Sequence, residues 1–161
     1  VSAAPSVLER TGPSKGPGPA VSSQLTVEVV TSFDAFLELE DEWNDLLDRS
    51  DVAHPFLTHE WIRSWWEAFG SGADLNLLVA RTGSVLVAIA PFMRTRRRMY
   101  GLTVRSLELA ANPHTPRSGI LLSRAFPQAR RAILEHLLDR QGNWDVLTLS
   151  QMPAQADLIE E

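Results

Sequence analysis

Leu25, Val27 and Val29 alternate with Thr26 and Glu28, the period-two pattern of a strand with one buried face, so the folded part is expected to begin near Gln24. The period then changes. Phe33, Phe36, Leu37, Trp43, Leu46 and Leu47 recur at helical spacing, with Ser32 placed to cap the first turn and Asp34 adding favourable charge there. This predicts one amphipathic helix running to about Arg49. Its other face, Glu38, Glu40, Asp41, Glu42 and Asp45, reads as a solvated acidic surface rather than a metal site. Pro55 breaks the chain, and Thr58 can cap a second helix with Glu60 in its first turn. That helix carries Trp61, Ile62, Trp65, Trp66 and Phe69, and Gly70 or Gly72 ends it.

Two β-prone runs follow, 75–80 and 85–93, joined by Arg81-Thr82-Gly83-Ser84, the composition of a hairpin turn. They are expected to pair antiparallel. Residues 103–109 read as a further strand, 110–118 as a loop, 119–122 as a short strand, 127–138 as a helix with Gly142 beyond it, and 144–149 as a last strand. A helix start is expected at 154–159. The order of elements implies a mixed α/β sheet with helices packed on it, not a doubly wound repeat. Residues 1–23 hold Pro5, Pro13, Pro17 and Pro19 with Gly12, Gly16 and Gly18, and are expected to form a disordered tail ahead of a domain over 24–161.

A length of 161 residues suits one domain with a substantial core. The formal net charge of -5 offers no global positive field for a nucleic-acid backbone, so nucleic acid is not an expected partner. With no cysteine, disulfides, thiolate metal sites and a Cys nucleophile are excluded. No apolar run reaches the roughly 20 residues of a membrane span, and the start lacks the apolar centre of an export signal. The expected location is the cytoplasm.

The run His54-Pro55-Phe56-Leu57-Thr58-His59-Glu60-Trp61 leads straight into the aromatic helix. Glu42-Trp43-Asn44 precedes it; Trp65-Trp66-Glu67-Ala68-Phe69-Gly70 and Leu86-Val87-Ala88-Ile89-Ala90-Pro91-Phe92 follow. In this order the series resembles the amino-terminal half of the CelD-type, FemAB-related acetyltransferases of the GNAT superfamily. The resemblance covers roughly residues 25–151. It implies a GNAT-like fold and transfer of an acyl group from acetyl-CoA or another acyl-CoA to an amine or hydroxyl, commonly in bacterial polysaccharide or envelope biosynthesis. It also implies a second GNAT-like unit beyond Glu161, so the chain alone is expected to be truncated and inactive. In that superfamily the cofactor's pyrophosphate lies on free amides of a glycine-containing turn between a strand and a helix. No Gln/Arg-x-x-Gly-x-Gly/Ala run occurs here, and Arg117-Ser118-Gly119 opens a strand instead, so the acetyl-CoA-binding segment is expected to be absent.

Candidate acceptor-site residues fall in three places. Trp65 and Trp66 are adjacent and point about 100° apart, so a single buried stripe does not hold both; either one lines a groove or both serve the core. His114, Arg117 and Ser118 lie in the most chemically varied loop, 112–118, which is either an acceptor site or a proline-stiffened connection. Nothing places an acid behind His114, so no triad is argued and no catalytic residue is assigned. Arg96 and Arg98, within the cluster Arg94, Arg96, Arg97, Arg98 and Arg105, suit an anionic acceptor such as a nucleotide-linked sugar through bidentate phosphate contacts. The alternative is a solubilising hairpin end that guards an apolar strand. His54, His59 and His136 lack metal-ligand spacing and read as surface or satisfied histidines. The rival function is a non-catalytic module that docks a sugar nucleotide or a protein through the Trp helix and the arginines.

Overall fold

The computed structural model of the chain describes residues 24–52, 54–139 and 143–152. The expected tail, Gly142 and the helix start at 154–159 lie outside them. The elements are β1 (Leu25–Val30), α1 (Phe33–Leu37), α2 (Glu40–Asp48), a 3₁₀ turn (Pro55–Leu57), α3 (His59–Phe69), β2 (Asp74–Thr82), β3 (Val85–Met99), β4 (Leu102–Leu109), β5 (Leu121–Leu122), α4 (Ala129–Asp139) and β6 (Val146–Thr148). The strands form one mixed sheet in the order β1-β2-β3-β4-β6, antiparallel except for the parallel pair β4–β6, with β5 on β3.

The local signals act as their chemistry requires. Ser32 Oγ accepts from the Ala35 N–H and Thr58 Oγ1 from the Trp61 N–H, each satisfying an orphan donor of a first turn. The helix expected over 33–49 is two helices. At the junction the Leu39 N–H bonds to the Phe36 carbonyl in a tighter turn, and Phe36, Leu39, Trp43 and Leu46 are all buried. Gly83, at φ +59°, makes the β2–β3 turn, as its lack of a Cβ allows.

β3 runs six residues beyond the expected Met93 end, through the arginines to Met99. The reason is pairing: residues 92–99 bond along β4, and Tyr100 and Gly101, both at positive φ, close a two-residue hairpin. β5 pairs with the same edge of β3 at Ala88 and Ile89. β3 thus has two successive partners on one side, and the chain between them leaves the sheet as the loop 110–120.

Two buried clusters flank the sheet. Leu75, Leu77, Val79, Leu86 and Ile89 meet Phe36, Trp43, Leu46, Leu57 and Ile62 from the first three helices. Leu78, Ala80, Val87, Ala90, Phe92 and Leu107 meet Ala129, Ile133 and Leu137 of α4. β2 and β3 are covered on both faces, which is why they read as continuous apolar runs. Each fully buried large side chain contributes about 1.5–3 kcal/mol, so the two clusters dominate the stabilisation. Among the described residues, no helix is long and apolar enough to cross a membrane.

Candidate functional site

Two segments meet where β4 ends, the carboxyl half of α3 and the loop after β4, and His54, just before the 3₁₀ turn that leads into α3, lies within the field of Arg117 in that loop. The Ala110 N–H donates to the Pro91 carbonyl at 2.7 Å and the Ala111 N–H to the Leu109 carbonyl at 2.7 Å, and this tight turn directs the loop away from β3. Asn112 then organises it. Its Oδ1 accepts from the His114 N–H at 2.9 Å and its carbonyl from the Thr115 N–H at 2.8 Å, closing a turn around Pro113. Thr115 is buried under the turn while His114 stays exposed, its ring stacked on Phe69 at 6.2 Å.

Trp65 is buried against Met93 and Ala110, its indole N–H enclosed and without a partner. Its ring also meets Phe69, at 5.8 Å. Trp66 is half-buried and packs against two clusters, under Gly70, where an added Cβ would stand 2.6 Å from the Trp66 carbonyl oxygen. The Trp pair therefore divides as the 100° separation requires, with Trp65 beneath the loop and Trp66 at the helix flank. The Ser118 hydroxyl donates to the Ser150 carbonyl and its N–H to the Gln151 carbonyl, so this side chain ties the loop to the chain after β6 and keeps only acceptor capacity for a ligand.

His54 is the residue that sequence reasoning passed over as a surface or satisfied histidine. It immediately precedes the 3₁₀ turn, its carbonyl accepts from the Leu57 N–H, its ring tilts onto Phe56 at 5.9 Å, and both ring nitrogens are enclosed without a partner. Burial first, and the Arg117 cation second, hold its pKa below the ordinary imidazole range, against a smaller opposing pull from its own main chain. His54 is thereby neutral near pH 7. Its position depends on Trp43, whose indole N–H donates to the Leu57 carbonyl at 2.8 Å and fixes the 3₁₀ turn on α2. His59 is fully buried, its Nε2–H donating to the Phe36 carbonyl at 3.0 Å while its Nδ1 is enclosed without a partner.

Glu108 also escaped the sequence reading, because in an alternating strand it reads as a solvated position. It is 4 % exposed and bonded to Thr95 Oγ1 and the Arg97 guanidinium. These polar partners satisfy the carboxylate on the α3 side of the sheet, opposite Met93 in the ladder.

Phe69 links Trp65 to His114 through ring contacts, Arg117 of the same loop acts on His54, Ser118 is tied to the chain after β6, and Arg96 and Arg98 lie apart. The latter two lie five and seven residues beyond Pro91 on extended β3, about 16 and 23 Å from the loop's root at about 3.3 Å per residue. Both are exposed, and among the described residues neither has a carboxylate partner. Arg97 pairs with Glu108 and Arg105 with Asp145.

No protein-family model matches the chain, and no curated protein matches it in sequence. Solved structures do match. A ribosomal-protein-alanine N-acetyltransferase from Brucella melitensis biovar Abortus superposes with a TM-score of 0.52 at 15 % identity, over 83 % of this chain and 84 % of that one. A GNAT family acetyltransferase from Staphylococcus aureus subsp. aureus gives 0.47 at 10 % identity, over 82 % and 90 %. The fold is that of the GNAT acetyltransferases: a mostly antiparallel mixed sheet with helices on both faces.

Proposed function

We propose that this chain forms the acceptor-holding side of a GNAT-type acyltransferase. The observation that carries the reading is His54, a neutral imidazole with both nitrogens enclosed and unpartnered, within the field of Arg117 from the loop after β4. An amine acceptor arrives as an ammonium and must lose a proton before it can attack a carbonyl; a hydroxyl must lose one as it attacks. A neutral imidazole can take that proton once the acceptor reaches its unprotonated nitrogen. Arg117 supplies a positive charge for an anionic part of the acceptor, such as the phosphates of a nucleotide-linked sugar. Trp65 offers an N–H donor from a desolvated wall. The narrower assignment, to CelD-type or FemAB-related transfer in polysaccharide or envelope biosynthesis, rests on the motif series alone.

The acyl-CoA half of such a reaction would need a phosphate cradle at a helix start. In this chain the β4-to-α4 connection spans 110–128, and the amides at the start of α4 are already used. The Ala129 N–H bonds to the Phe126 carbonyl at 3.0 Å and the Arg130 N–H to the Pro127 carbonyl at 3.2 Å, while Gly119 lies ten residues before the helix. These residues do not fit a coenzyme A pyrophosphate, so no step is assigned through the cofactor.

Thermal-shift and turnover measurements on the chain test the reading. A ligand that binds only the folded form raises its melting temperature. The expected pattern is stabilisation by an amine- or hydroxyl-bearing sugar nucleotide, with perturbation of the His54 ring resonances, and neither stabilisation nor turnover with acetyl-CoA alone. Robust acetyl-CoA binding or turnover would overturn the cofactor part. Acceptor binding that leaves the His54 resonances unmoved would overturn the site.

A second reading, a non-catalytic docking module, draws support from the β3–β4 hairpin tip. There Arg96 and Arg98 stand near the exposed Tyr100 and Leu102. A partner protein that protects this tip, with no sugar nucleotide bound by the chain, is the outcome expected of that module.

A further inference from the structure

On the face of the sheet opposite the candidate site, a cavity of about 140 Å³ lies between the strands and the carboxyl half of α4. Its polar lining comes from three directions: Asn76 on β2, Arg94 on β3, and Trp144 ahead of β6, with His136 of α4 alongside and exposed Thr31 and Asn143 in the lining. Two of these groups are anomalous in the same way. Arg94 Nε–H and Trp144 Nε1–H are both enclosed by protein, and neither has a hydrogen-bond partner. Buried donors are normally paired, because an unmade bond there forfeits the solvation that each group had in water. Two orphan donors lining one cavity call for an acceptor between them.

Among the described residues, no Asp or Glu lines the cavity. Asp74 faces Arg94 across the β2–β3 ladder but is exposed, and among the described residues Arg94 makes no ion pair. The alternation of β3 explains why Arg94 differs from its neighbours. Arg94, Arg96 and Arg98 share one face of the strand, but only Arg94 lies within the cavity beneath α4, while Arg96 and Arg98 continue into solvent.

We propose that this cavity binds a phosphoryl group, held by the Arg94 guanidinium, the Trp144 indole N–H and the Asn76 amide. Its volume is close to that of a cavity that holds one benzene molecule, so it admits a single phosphate or a phosphate monoester end but not a nucleotide. Donors arriving from two strands and from the chain ahead of β6 suit the diverging oxygens of a tetrahedral oxyanion better than the two coplanar oxygens of a carboxylate. The site is independent of the acyl-transfer reading, because it lies on the other face of the sheet.

The test is an NMR titration of the full chain with inorganic phosphate, and with acetate as the carboxylate arm. The Trp144 indole N–H signal, identified by its loss in Trp144→Phe, is expected to shift saturably with phosphate in the millimolar range and more weakly with acetate. Arg94→Gln is expected to weaken the phosphate response at least about tenfold. Arg63→Gln, at an exposed pair with Glu67, is expected to leave the response unchanged. If Arg94→Gln fails to fold, Asn76→Ala serves as the second variant and is expected to weaken phosphate binding while retaining the Trp144 signal. A Trp144 signal that does not respond to phosphate overturns the site, as does a response of full strength in the folded Arg94→Gln or Asn76→Ala protein. Equal or tighter binding of acetate overturns the phosphoryl assignment.

Discussion

Replacing Trp43 with phenylalanine isolates the bond that anchors the candidate site to the core. Trp43 is 1 % exposed, and its indole N–H donates to the Leu57 carbonyl at 2.8 Å. Phenylalanine keeps most of the ring contacts with Phe36 and His59 but has no donor. The buried carbonyl then loses its partner, a cost of about 1–3 kcal/mol. The space left by the smaller ring adds about 1 kcal/mol because the surrounding side chains collapse only in part. The expected total is about 2–4 kcal/mol, read from urea unfolding at pH 7, with a melting temperature lower by roughly 10 °C. The 3₁₀ turn holding His54 loosens with it, so His54 is expected to titrate closer to an ordinary imidazole in the variant. A loss below about 0.5 kcal/mol, the size of an ordinary surface change, would refute the argument from burial and bonding.

Arg117→Gln is expected to raise the His54 pKa, followed by NMR titration, because it removes the second-largest cause of the depression. With the folded pKa below the unfolded value, His54 contributes stability that is present above the unfolded pKa and lost as pH falls through the folded one, so the variant should show a shallower loss of stability on acidification below about pH 6.5. Asp145, bonded to the Arg105 side chain and N–H, is lowered to about 2. Its contribution is present above the unfolded value of about 3.9 and lost as pH falls toward 2, so its carboxyl carbon should titrate near 2 and Asp145→Asn should flatten the acid limb of the stability curve over that window. Arg81 bridges Glu42 and Glu28, but the carboxylates are 45 % and 58 % exposed; a double-mutant cycle of Arg81→Met with Glu42→Gln should give a coupling of only about 0.5–1 kcal/mol that shrinks in salt. Gly70→Ala sets a Cβ 2.6 Å from a backbone oxygen and should cost about 1–3 kcal/mol by chemical denaturation.

The helix caps Ser32 and Thr58, the period of α3, the Gly83 turn and the double-sided apolar runs of β2 and β3 were legible because each is written in neighbouring residues. The length of β3 was not. A run of arginines looks like a strand's end, and only the ladder to β4 keeps it extended. Glu108 went unmarked for a related reason: a strand pattern is silent about what covers each face.

For the site, sequence marked Trp65 and the loop 112–118 through their residue types and their proline and asparagine turn, all of which are local properties. It did not mark His54. The chemistry of that ring comes from Arg117, far along the chain, and from enclosure by a turn that Trp43 holds in place. In the same way, sequence puts Arg94, Arg96 and Arg98 on one face of a strand with nothing to separate them. Which of the three meets solvent and which meets a cavity was decided by where α4 packs. Residue type and spacing fix what a side chain can do and which neighbours it turns beside. Desolvation and charge, which decide whether it does so, depend on groups that only folding brings near.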